Sequence, residues 1–171
     1  MRKIIFSFLF ILTFYSCNNV VNETSKTEQN VLESDMEITT QQGIITKEST
    51  KSFDETYSAL VEVIKNNPNL KIIAELDHQA NAASVGLELN PTRIIMFGNP
   101  NLGTPLMKSA QTTGLDLPQK IMVWKDDQNT VKISYNDPQY LQQRHHIKGT
   151  QEVLSKISSA LDKITSVASG L

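Results

Sequence analysis

Two glycines, Gly98 and Gly103, stand at the G-x-x-x-x-G spacing of a phosphate-binding loop within "MFGNPNLGTP", between an apolar run that reads as a strand and a helical pattern. Such a loop handles nucleotides when a lysine follows the second glycine, to reach the terminal phosphates, and Ser or Thr comes next to hold magnesium. Thr104 and Pro105 occupy those two places, and Lys108 lies one turn further on. Nucleotide hydrolysis is therefore excluded. Two readings of the stretch survive. Gly98, Asn99 and Gly103 either offer backbone N–H groups to an anion beside a helix N-terminus, or they form a turn that needs glycine dihedrals.

The remaining chemistry-bearing residues are histidines and one aspartate. His145 and His146 follow Arg144 near the end of a helical stretch, and His78 closes a strand. Adjacent histidines on a helix point about 100° apart, so they do not converge on one metal ion. No metal and no cofactor are expected. An envelope hydrolase or metal-dependent enzyme would have to be assembled from His78, Asp137 and His145, which requires those three to meet. Asp137 also reads as a helix N-cap, a role that occupies its carboxylate with backbone donors.

A binding site is the alternative use of the same residues. The "GNP" and "NDP" turns each leave a strand just before a helix. If both lie at one edge of the sheet, Gly98, Asn99 and Gly103 share a concave polar rim with Tyr135, Asn136, Asp137 and His145. Trp124, with Met122 on the same strand face, would floor such a pocket, although a core tryptophan is the default.

These residues must be carried by a limited set of elements. "GIITKES" supplies a first strand at Ile44 to Lys47. Ser52 and Glu55 form a capping box for a helix bearing Phe53, Tyr57, Leu60, Val61 and Ile64 at helical spacing, stopped by Asn66, Asn67 and Pro68. "KIIAELDH" alternates as a strand, with Ile72, Ala74, Leu76 and His78 on one face and Ile73, Glu75 and Asp77 on the other. A short helix over "QANAASVG" and a strand from Arg93 to Phe97 follow.

Thr104 as N-cap with Pro105 at the first position then opens a helix ending before Gly114. "KIMVWK" and "VKISY" flank "DDQN" as a hairpin. Asp137 and Pro138 repeat the start signal. Thr150 begins a last helix with Val153, Leu154, Ile157, Leu161, Ile164 and Val167 on one stripe. Hairpin-joined strands mixed with helices give an α+β fold with a largely antiparallel sheet, one face covered by the two long helices.

Residues 1–16 read as a signal peptide: Arg2 and Lys3, then an apolar run from Ile4 to Phe14 too short to span a bilayer that needs about 20 helical residues. Cys17, the single cysteine, falls where cleavage would make it the mature N-terminus, and "TFYSC" resembles a bacterial lipobox with Phe14 and Tyr15 in place of small aliphatic residues. Cys17 is thus the expected lipidation site, with palmitate among its acyl groups. From there to residue 42 the chain is polar and lacks a period, as a flexible tether should.

Such a coil has an end-to-end distance on the order of 25 to 30 Å. Residues 43–171 form one domain. Of sixteen Lys and Arg and eighteen Asp and Glu in the chain, three and five precede residue 43, which leaves thirteen of each sign in the domain. A formally neutral domain offers no basic face for nucleic acid.

The motifs "FGNP", "LDLP", "VWKDD" and "YNDPQYLQQRH", in that order between about residues 50 and 147, are similar to those of the domain-of-unknown-function 302 family. The resemblance implies a single domain of TATA-binding-protein-like shape, a curved antiparallel sheet under helices, and homodimers. It implies no catalytic residue. The expected function is a lipid-anchored cell-envelope module, non-enzymatic, that binds a small ligand or an envelope protein. Outer membrane is favoured over inner because Asn18 follows the cysteine. The alternatives are the enzyme on His78, Asp137 and His145, and a purely structural assembly module.

Overall fold

The computed structural model describes residues 42–171. The signal peptide, Cys17 and the tether up to residue 41 lie outside the described residues. Eleven elements follow in chain order: β1 (Ile44–Glu48), α1 (Phe53–Lys65), β2 (Lys71–Asp77), α2 (His78–Ser84), β3 (Thr92–Gly98), α3 (Pro100–Ser109), a 3-10 turn (Gln111–Leu115), β4 (Gln119–Lys125), β5 (Val131–Asn136), α4 (Pro138–His145) and α5 (Gln151–Ser169). The five strands form one sheet in the order β1-β5-β4-β3-β2, every neighbouring pair antiparallel. The α+β architecture expected from the hairpin signals is the one observed.

The core lies on one face of this sheet. Ile121 and Val123 of β4, Ile133 and Tyr135 of β5 and Ile95 and Phe97 of β3 point to it and are buried. Phe53, Tyr57, Leu60 and Ile64 of α1 and Leu154, Ile157, Leu161, Ile164 and Ala168 of α5 close over them. α1 begins with the capping box read from the sequence, Ser52 Oγ accepting from Glu55 N and Glu55 accepting from Ser52 N. On α5 the stripe drifts with the 3.6-residue period, so Ala168 is buried and Val167 is 47% exposed. On the other sheet face, Leu76, Ile94, Met96, Met122 and Trp124 are half-buried or exposed. Met122 and Trp124 do share that face, where Trp124 Nε1 donates to Ser134 Oγ at 2.9 Å.

Two expectations about local structure are corrected. A bulge between Ile72 and Ala74 places Ile72 opposite Phe97 and Ala74 opposite Met96, so those two residues face opposite sides and Ile73 is turned out, 58% exposed. One extra residue in a strand reverses its parity beyond that point. Glu75 and Asp77 therefore lie on the helix face, where Tyr57 Oη donates to Glu75 at 2.9 Å and Arg93 binds Asp77. His78 is not the end of that strand but the first residue of α2, capped by Asp77.

The second correction concerns α3, which begins one turn earlier than Thr104 suggests. Asn99 is its N-cap, Oδ1 accepting from Asn101 N at 2.9 Å, and Pro100 takes the first helical position. Asn99–Pro100 and Thr104–Pro105 carry the same start signal, and the earlier pair wins, leaving Pro105 inside the helix.

Candidate functional site

β3 and β5 are both antiparallel to β4 between them, so their C-terminal ends meet at the same end of the sheet. The "GNP" and "NDP" turns therefore emerge side by side, with the start of β4 between. Yet they do different things. At the "GNP" side a cavity of about 380 Å³ opens under α3, within the roughly 300–1,000 Å³ of small-molecule sites. Phe97, Gly98, Asn99, Leu102 and Gly103 form one wall and Leu117, Pro118 and Gln119 another. Ile157, Ala160, Leu161 and Ile164 of α5 close the back, and Leu70, Lys71 and Ile73 of the β2 edge complete it.

Neither glycine of this wall has a positive φ, so the turn does not need glycine dihedrals, and a side chain at either would meet its neighbours only at ordinary van der Waals distance. A side-chain carbon at Gly98 would come 3.7 Å from Pro118, and one at Gly103 would come 3.5 Å from Leu117. Gly103 does not offer a free N–H, because α3 includes it and its N–H donates to Asn99 O at 3.0 Å. The Gly103 and Asn101 N–H groups are thus both engaged within the turn, beside a lining that is mainly apolar.

The "NDP" residues do not line the cavity. Tyr135 is buried beneath α5 on the helix face of the sheet. Burial first, and the nearby Asp162 carboxylate second, push its phenol up to about 12. Asp137 caps α4, Oδ1 accepting from Gln139 N at 2.9 Å. Asn136 pairs with Ile44 of β1.

His145 is tied elsewhere, its Nε2 at 2.5 Å from Asp116 Oδ2 and its Nδ1 at 3.1 Å from Thr112 Oγ1. Arg144 reaches the same carboxylate at 3.5 Å. Asp116 directly precedes Leu117 and Pro118 of the cavity wall, so α4 braces that wall through His145.

The trio His78, Asp137 and His145 is not brought together. His78 follows Asp77, which pairs with Arg93 at the start of β3, whereas His145 binds Asp116, three residues before Gln119, which pairs with Phe97 at the opposite end. Four residue steps from Arg93 to Phe97, at about 3.4 Å each, separate those ends by roughly 14 Å. Among the described residues, no group of three or more His, Cys, Asp and Glu is placed to hold a metal ion. At the far end Asp77 is held below the usual carboxylate range, mainly by the Ala80 N–H it caps and then by Arg93. Arg93 also lies 5.0 Å from the Phe53 ring centre and 5.6 Å from that of Tyr57, a structural clasp of α1 to the sheet.

The sequence profile of the family described as Domain of unknown function DUF302 matches residues 45–164. The chain belongs to the DUF302 family. A crystal structure of an uncharacterized conserved DUF302 protein from Bacillus stearothermophilus superposes with a TM-score of 0.66 at 20% identity, covering 74% of this chain and 98% of that one, and shows the shared fold.

Among curated proteins, two named Fluoride-specific ion channel FluC 1, from Brucella suis biovar 1 (strain 1330) and Brucella abortus biovar 1 (strain 9-941), are each 36% identical over 129 residues. These alignments cover 75% of this chain and 50% and 47% of the relatives. The chain spans about half the length of the curated relatives it matches.

Seen on the DUF302 fold, the motifs converge. "FGNP" and "LDLP" supply facing walls of the cavity, and the "RH" of "YNDPQYLQQRH" holds "LDLP" in place. Sequence reasoning had selected Gly98, Asn99 and Gly103. It missed Asp116, Leu117 and Gln119, whose only signal was membership of, or adjacency to, a motif with no periodic role, and Thr112, which carried no signal.

Proposed function

We propose that this DUF302 chain is a non-enzymatic small-ligand-binding module of the cell envelope, tethered by lipid on Cys17. The observation that carries the reading is the preformed cavity of about 380 Å³, walled by apolar side chains from four parts of the fold. Preformed concave apolar sites with few polar groups are the usual form of small-molecule sites. What the curated channels conduct is not carried over, since the match spans about half of them. Among the described residues no helix is long and apolar enough to cross a membrane.

The test is native mass spectrometry of the domain as purified from a bacterial host, wild type beside Ala160→Phe. Ala160 lines the cavity from α5, and a phenyl ring there fills it. A small molecule retained by wild type and lost from the variant is the expected outcome. If both proteins carry the same molecule, or neither binds any member of a lipid and metabolite panel, the cavity is not a binding site.

A further inference from the structure

We infer that the cavity takes an acyl chain whose head is an oxygen acceptor, with Gln119 recognising that head. The inference rests on the reading of the cavity as a ligand site and names its ligand class. Gln119 lines the cavity and is only 9% exposed. Its Nε2 has no partner among the described residues. A buried amide left unpaired costs the desolvation of its polar atoms, which a ligand oxygen would recover. The orientation of a glutamine amide is set by the hydrogen bonds around it. None of the described bonds holds this one, so an incoming acceptor can turn the NH2 toward itself.

The rest of the lining states what the ligand must be. Most of the lining is hydrocarbon or thioether, including Phe97, Leu102, Met107, Leu117, Ile157 and Leu161. These accept an unbranched chain; the other polar side chains of the lining are Lys71, Thr104 and Asn99, whose Oδ1 already caps α3, too few to satisfy a sugar, a nucleotide or a peptide backbone. Lys71 carries the only formal charge in the lining, and no carboxylate is present there. An anionic or carbonyl head is therefore matched and a cationic one is not. The bulge that turns Ile73 outward leaves an apolar residue at the β2 edge of the cavity, where a chain would pass from water or membrane into the site. A free carboxylate and an ester carbonyl share this chemistry.

Isothermal titration of the domain with dodecanoate, methyl dodecanoate and dodecyltrimethylammonium tests the assignment. We expect dodecanoate to bind and the cationic amphiphile to bind at least tenfold more weakly, a factor of ten being about 1.4 kcal/mol. Gln119→Leu should weaken dodecanoate about tenfold or more. The unliganded variant should melt about 2–4 °C higher, because an unpaired amide has gone. That rise separates lost recognition from lost folding.

Methyl dodecanoate binding as tightly as the acid, and with the same Gln119 dependence, supports the acceptor and assigns an esterified source. Tighter acid binding supports it and assigns a free one. Equal binding of all three amphiphiles, unchanged by Gln119→Leu but abolished by Ala160→Phe, overturns the head-group assignment and leaves the cavity reading standing. Binding that survives Ala160→Phe overturns both.

Discussion

Tyr135 shows how a candidate polar residue becomes a structural one. Its position after "KIS" gives it the parity of Ile133, and it pairs with the fully buried Ile121 across the hairpin. Burial disfavours the phenolate more than the phenol, and Asp162 adds repulsion, so the folded group titrates near 12 rather than 10. Tyr57 is raised as well, by burial first and then by its bond to Glu75. With the folded value above the unfolded one, the contribution to stability is complete below about pH 10 and is lost as pH rises toward the folded value. We predict that urea-unfolding stability declines between about pH 10 and 12, and that Tyr135→Phe flattens that decline by on the order of 2 kcal/mol. Wild-type and variant curves running parallel through this range would show that Tyr135 does not contribute.

At the scale of elements, β1 and α4 are joined by a contact in which one partner must be glycine. Gly43 has φ +79°, and a side-chain carbon there would come 2.5 Å from the Tyr140 ring of α4. Gly43 O also accepts from Asp137 N at 3.0 Å, so the start of α4 is fixed to the start of β1. Gly43→Ala combines a strained left-handed backbone with displacement of a ring, and should lower stability by about 2–4 kcal/mol in urea denaturation. Adding Tyr140→Ala should restore the steric part of that loss relative to Tyr140→Ala alone. A Gly43→Ala protein as stable as wild type would refute the contact.

Elements of this kind were legible where local signals act alone. The Ser52 capping box, the hairpin turn and the α5 stripe need only neighbouring residues to be read. The β2 parity was not legible, since "KIIAELD" alternates well and the bulge is imposed by pairing with β3. Nor was the start of α3, where two identical start signals stand one turn apart. The site failed to show for a related reason. His145 and Asp116 are 29 residues apart, and only the fold brings them to 2.5 Å.

For the whole molecule, the proposed lipid anchor and the proposed acyl-chain cavity bear on each other. Acyl chains reside in membranes, so a module that receives them gains by standing within reach of one. On the proposed reading, lipid on Cys17 would be the anchor and the polar stretch to residue 42 would give a reach on the order of 25 to 30 Å. The folded part, with thirteen charges of each sign among its residues, gains little from electrostatic attraction to an anionic surface, so the proposed attachment would rest on the lipid. One acyl chain binds a membrane only marginally, whereas several make the attachment stable. We therefore predict that wild-type protein incorporates labelled palmitate, loses residues 1–16 and sediments with membranes. Cys17→Ala should incorporate none and keep its full mass on mass spectrometry. Should the alanine variant be processed and partition as wild type does, Cys17 is not the anchor and the cavity must meet its ligand in solution.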